Sequence, residues 1–155
     1  MDTKAKPEKK RRSGIPTGNA GEYFVMGELL RRGYDAQLAD RNTKGYDLLV
    51  GRAGDGLDMR RVQVKTVRAP PWYVRRADFT DLPDQVTVYV IIGKEDAKKP
   101  VRYFIARNGD VAERVTVPAT GNWPANGFMS QRAVMDFADN WAALDAPEPR
   151  RKRRG

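Results

Sequence analysis

Cysteine and histidine are both absent from the sequence. Without thiols there can be no zinc finger, iron–sulfur cluster, thiol nucleophile or disulfide framework. Without imidazole, every mechanism that needs a histidine base or ligand is excluded, Ser-His-Asp hydrolysis and histidine-based nuclease sites included. Nor does any apolar run approach the roughly 20 residues that cross a bilayer. The basic N-terminus is followed by no apolar stretch, so no secretory signal is expected and the reading is cytoplasmic, nucleoid-associated if the source is bacterial. What remains for acid–base or metal chemistry is carboxylates, amides, lysines and backbone oxygens. That donor set suits magnesium, with manganese as a substitute.

The 155 residues are 40% hydrophobic and 32% charged, a balance that fits one globular domain with its own core. The net charge is +9, and all of it sits at the two ends. Residues 1–14 carry six basic and two acidic side chains and residues 150–154 carry five basic ones, so 15–149 is neutral. Basic ends bind phosphate backbones through counterion release, without sequence preference. Solubilising ends or an import-like address would have the same composition. The expected organisation is a flexible basic arm over 1–16, one domain over 17–146 and a basic tail over 147–155.

Apolar periodicity predicts a helix over residues 19–32 ended by Gly33, a short strand over 34–39, and strands over 46–52 and 60–67. The Gly-containing connection near 54–56 marks the last two as an antiparallel hairpin. Pro70 and Pro71 interrupt the pattern, and 72–83 reads as an irregular connection. Residues 85–92 are nearly all apolar, as in a fully buried central strand. A further strand is expected over 101–106, and an amphipathic helix over 130–144 with Val134, Phe137, Ala138, Trp141 and Leu144 at helical spacing.

In the 60–67 strand, Gln63 and Lys65 are two apart and share a face. Asp47 opens the neighbouring strand and can reach the same patch. A carboxylate, an amide oxygen and an ammonium then converge, an arrangement suited to phosphodiester hydrolysis. Asp47 and Gln63 would hold a divalent cation, the Val64 backbone carbonyl could add an oxygen, and Lys65 would position water or stabilise the transition state.

Asp47 with Gln63, Val64 and Lys65, preceded by Gly21 and Glu22 on a first helix, resembles the PD-(D/E)XK nuclease superfamily. The likeness covers roughly residues 18–106 and is greatest to the Holliday-junction-resolvase-like and small endonuclease branches. It implies a restriction-endonuclease-like α/β sandwich with a mixed central sheet flanked by helices. It also implies Mg2+ dependence, hydrolysis of DNA phosphodiesters in repair or recombination, and a homodimer for cutting two strands. Two positions depart from the pattern: Tyr46 stands where the namesake has proline, and Gln63 replaces an acid. Glu22 could restore the missing carboxylate to the metal, since Met26 and Leu29, four and seven residues on, set it on the inward stripe.

Each residue also has a plain structural reading. The spacing from Asn19 to Glu22 is that of a capping box. Asp47 could end a strand, and Gln63 or Lys65 alone would be a solvated strand residue. Arg60, Arg61, Arg68, Arg75 and Arg76 could contact phosphates, with Trp72 and Tyr73 as stacking surfaces; an ordinary charged loop anchored by two aromatics is the competing reading. Trp123 and Trp141 are expected in the packing. Asp78, Asp81 and Asp84 cluster in sequence, with nothing to fix them near the metal. A nuclease-like fold kept as a non-catalytic nucleic-acid-binding or assembly module is the alternative to an enzyme.

Overall fold

The structure, a computed structural model, describes residues 15–40, 45–52, 59–123 and 125–145. The basic arm up to residue 14, the tail from 146 and the turn at 54–56 lie outside the described residues.

A five-stranded sheet organises the chain in the order β1 (Tyr34–Leu38), β2 (Leu48–Arg52), β3 (Arg60–Val67), β5 (Val86–Ile91), β6 (Arg102–Arg107). Neighbours are antiparallel except β3 and β5, which run parallel from Val62 opposite Val86 to Val67 opposite Ile91. The expected hairpin of β2 and β3 is present. As expected, β5 is buried along its whole length, because both of its faces are covered.

Helix α1 (Ile15–Arg31) lies on one face. It ends where Gly33, at φ 86°, takes the left-handed conformation that other residues avoid. Val25 and Leu29 of α1 bury against Leu48, Val50, Val62, Val64 and the even-numbered valines of β5. The helix approaches β3 so closely that a methyl group on Gly21 would overlap the Thr66 hydroxyl. The helix starts four residues before Asn19, so Asn19 is interior to it and the capping-box reading of Glu22 fails.

The opposite face carries a second core built on Trp72, Phe79, Tyr89, Phe104, Met129 and Val134. It is roofed by the stretch expected to be irregular, which instead forms β4 (Trp72–Arg75) and α2 (Arg76–Asp81). The reason is topological. Parallel strands need a crossover of a dozen residues or more, and such a crossover must bury an apolar side against the sheet. β4 pairs with β7 (Asn126–Met129), a strand the periodicity did not reveal.

The expected helix over 130–144 is broken. Ser130 caps a short α3 (Gln131–Val134) by accepting the Ala133 N–H at 3.2 Å. A 3-10 turn follows, then Ala138 bridges to Phe104 and Asp139 donates its N–H to the Tyr103 carbonyl at 2.9 Å. Val134 belongs to the β4–α2 side core, whereas Trp141 and Leu144 belong to the α1-side core. The segment therefore wraps the β6 edge, supplying partners to its open backbone groups, and no straight helix could serve both cores.

Candidate functional site

The β2–β3 ladder stops at the pair Leu48–Val62, and Asp47 takes over at that point. Its N–H donates to the Val62 carbonyl at 2.9 Å, and its Oδ2 accepts the Val64 N–H at 2.8 Å. A side-chain oxygen thus replaces the next rung of the sheet. The same Oδ2 accepts Gln63 Nε2 at 3.2 Å. Within a strand the N–H and C=O of one residue leave on the same side, so the Val64 carbonyl opens toward Asp47 as well.

Burial pushes the Asp47 carboxyl above its ordinary value, with the Val64 N–H and the Lys65 charge pulling the other way. Lys65 stands on the same face as Gln63, half-buried, opposite Tyr89 of β5. Both side chains line a small cleft between the sheet and the β4–α2 layer. Thr87 and Tyr89 form its floor and Asp78 and Phe79 of α2 its roof. The carboxylate of Asp78 is the feature sequence reasoning left unplaced. The signal available was the length of the 68–85 connection, which a parallel pair requires.

Asn108 holds this roof. Its Oδ1 accepts the Thr87 hydroxyl at 2.7 Å, while Nδ2 donates to the carbonyls of Asp78 at 3.2 Å and Leu82 at 3.0 Å. Glu22 is half-buried next to Gly21, in the α1 layer on the other face of the sheet from Lys65. The inward stripe of α1 is Gly21, Val25 and Leu29, and Glu22 and Met26 flank it.

Among the basic and aromatic residues, Trp72 is corrected. It is 1% exposed, edge-on to Tyr89 and Phe104, and its Nε1 donates to the Val90 carbonyl at 3.2 Å. It is a core anchor because strand alternation turns it inward. Tyr73, 67% exposed, and Arg75 take the outer face of β4, and Tyr73 lies parallel to Trp123 with centroids 6.4 Å apart. Arg61 shares the Gln63–Lys65 face and lies over the Tyr46 ring, while Arg60 points to the α1 side and reaches the Ala143 carbonyl at 3.5 Å. Arg68 donates to the Gly93 carbonyl at 3.0 Å, and Arg76 is exposed at the start of α2.

The donor set at Asp47 is oxygen-only: a carboxylate, an amide oxygen and a backbone carbonyl. Among the described residues no group of three acids gathers around a metal-sized space. The set fits a hard divalent cation in chemistry, with little charge.

A mixed sheet with β3 at its centre, α1 on one face and a crossover on the other is the architecture of the restriction-endonuclease-like fold. A solved structure shares this architecture. A bacterial homing endonuclease, I-Ssp6803I, aligns at TM-score 0.51 and 16% identity over 87% of this chain and 94% of its own. A Holliday junction resolvase, Hjc, from the archaeal hyperthermophile Archaeoglobus fulgidus aligns at TM-score 0.46 and 13% identity, over 76% and 87%. No family model and no curated protein matches the sequence.

Proposed function

We propose that the chain is a divalent-metal-dependent endonuclease that hydrolyses DNA phosphodiesters, with branched DNA as a candidate substrate. The observation that carries this reading is the convergence of Asp47, Gln63 and Lys65 where the β2–β3 ladder ends. Asp47, the Gln63 amide oxygen and the Val64 carbonyl would hold Mg2+ or Mn2+, and Glu22, in the α1 layer on the other face, would have to reach round the end of the sheet to join them. The cation would supply Lewis-acid stabilisation of charge developing on phosphate. Lys65 adds a positive charge beside the scissile group and orients the attacking water. Arg61, Tyr73 and Arg75 offer phosphate and stacking contacts around the site, and the basic ends add unspecific affinity. Two copies would cut two strands. The test is cleavage of branched, duplex and single-stranded DNA with Mg2+ or Mn2+. Asp47→Ala and Lys65→Ala should each lose roughly 100-fold or more; activity equal to the parent overturns the assignment.

One observation favours a second reading, a non-catalytic nucleic-acid-binding or assembly module. The Gln63 amide turns its N–H, not its oxygen, toward Asp47. Calorimetry separates the two, since a degenerate site takes up no divalent cation that Asp47→Asn abolishes. An inert parent made active by Gln63→Glu would also favour this second reading.

A further inference from the structure

The outer side of the β4–β7 pair gathers aromatic rings at the surface. Alternation turns Trp72 and Val74 inward, Val74 onto the cleft beside Lys65, and leaves Tyr73 and Arg75 outward. Residues directly opposite on antiparallel strands share a face, so Phe128 stands beside Tyr73 and Asn126 beside Arg75. Trp123, in the loop that leads into β7, lies at 6° to the Tyr73 ring with centroids 6.4 Å apart. Carbons in contact are about 3.5–4 Å apart, so the two rings overlap in part at most and each keeps ring face uncovered.

The loop is shaped for this placement. Gly121 has φ 90°, a left-handed conformation, and a methyl group there would lie 3.1 Å from the Trp123 indole nitrogen. A side chain at 121 would therefore push the indole from its seat. The face is also free of carboxylates. The chain has 20 acidic residues, yet residues 70–77 and 115–130, which build this face, hold none and carry Arg75 and Arg76. Asp78, the next acid along, lines the cleft on the inner side. Exposed, pre-oriented rings beside an arginine, in a patch without acids, match a ligand that is flat, apolar on its faces and anionic along its backbone.

We infer that Tyr73 and Trp123, with Phe128 at the side, form a stacking platform for an unpaired nucleobase, with Arg75 taking the adjoining phosphate and Asn126 a base edge or sugar. An unpaired base offers its ring faces, whereas bases inside a duplex are stacked on each other and closed to side chains. The substrate class is therefore nucleic acid with unpaired nucleotides, such as a single strand, a flap or the open centre of a branch, rather than continuous duplex. The inference rests on the nucleic-acid half of the proposed function and needs neither the cation nor cleavage.

Anisotropy titration of the full chain in chelator, at one fixed salt concentration, compares a labelled thymidine oligomer with an abasic oligomer of the same length. The abasic strand keeps the phosphates and lacks the rings. The parent should bind the thymidine strand more tightly by about tenfold or more. Tyr73→Ala and Trp123→Ala should each lose most of that preference while holding the abasic strand as before, and Tyr73→Phe should keep it. Arg75→Gln should weaken both strands alike. Tyr23→Ala, which removes a similarly exposed ring from α1, should match the parent. Thermal melts show whether each variant is folded; Tyr73 lies outside the core, so Tyr73→Ala decides if Trp123→Ala does not fold. Equal affinity of the parent for the two strands overturns the inference, since the basic ends then account for binding. So does a preference that survives Tyr73→Ala, or one that Tyr73→Phe loses. A dimer in sedimentation that Tyr73→Ala dissociates, with no base preference, assigns the face to a second copy of the chain and overturns the inference too. A parent that prefers the thymidine strand but cuts no DNA with Mg2+ or Mn2+ supports this inference and overturns the endonuclease reading. A parent that cuts branched DNA and binds both strands alike overturns this inference alone.

Discussion

Gln63 donates its side-chain amide to Asp47, with Nε2 3.2 Å from Oδ2. The bond satisfies a half-buried carboxylate by the cheapest local donor, but it faces the amide oxygen away. For both side chains to hold one cation, the amide must turn over. Metal binding therefore competes with a bond the protein already makes, and several expectations follow from that competition.

Gln63→Glu replaces a donor with a second carboxylate beside Asp47. Without divalent ions the two charges repel, and the melting temperature should fall at neutral pH. With Mg2+ the order reverses, and affinity should rise on the order of tenfold because the site gains a unit of charge. Differential scanning fluorimetry with and without Mg2+ reads both effects; no change in either would remove Gln63 from the site.

The raised Asp47 value gives a signed pH dependence. A carboxyl whose folded value exceeds its unfolded one binds protons more tightly when folded. Its contribution to stability is fully present below the unfolded value, and is lost as pH rises through the folded one. Relative to Asp47→Asn, the parent should lose stability from near pH 4 upward and melt at a lower temperature at pH 7 in chelator. Parallel melting curves at every pH would contradict this.

Asn108 is 2% exposed and bonds Thr87, Asp78 and Leu82 at once. Asn108→Ala strands a buried hydroxyl and two carbonyls, at a cost of roughly 2–4 kcal/mol. Urea denaturation measures it.

Glycines on α1 divide by what they touch. Gly21→Ala forces the helix off Thr66 and should destabilise by about 1–3 kcal/mol through overpacking. Gly27, exposed with nothing within 4 Å of an added methyl, should gain about 0.5–1 kcal/mol as alanine. Chemical denaturation of the pair checks the sign of each.

Trp72 and Tyr73 are adjacent and should behave oppositely. Trp72→Ala empties the second core and costs roughly 3–5 kcal/mol. Tyr73→Ala should leave the melting temperature nearly unchanged and lower affinity for DNA in an anisotropy titration. Unchanged affinity would remove the outer face of β4 from the DNA interface.

The sequence by itself determined whatever depends on neighbours along the chain. Alternation put Gln63 and Lys65 on one face, and the hairpin brought Asp47 beside them, because a strand's period and a short connection are local facts. The unbroken apolar run of 85–92 likewise announced the buried β5. Tertiary structure alone decided what depends on distant partners. The parallel pairing of β3 with β5 forces a crossover, and only that crossover turns 72–81 into β4 and α2, buries Trp72 and sets Asp78 over Lys65. The stripe from Val134 to Leu144 has helical spacing, yet its residues serve cores on opposite faces, so the chain bends around β6. Periodicity records that a residue is buried; which core buries it is settled by the sheet.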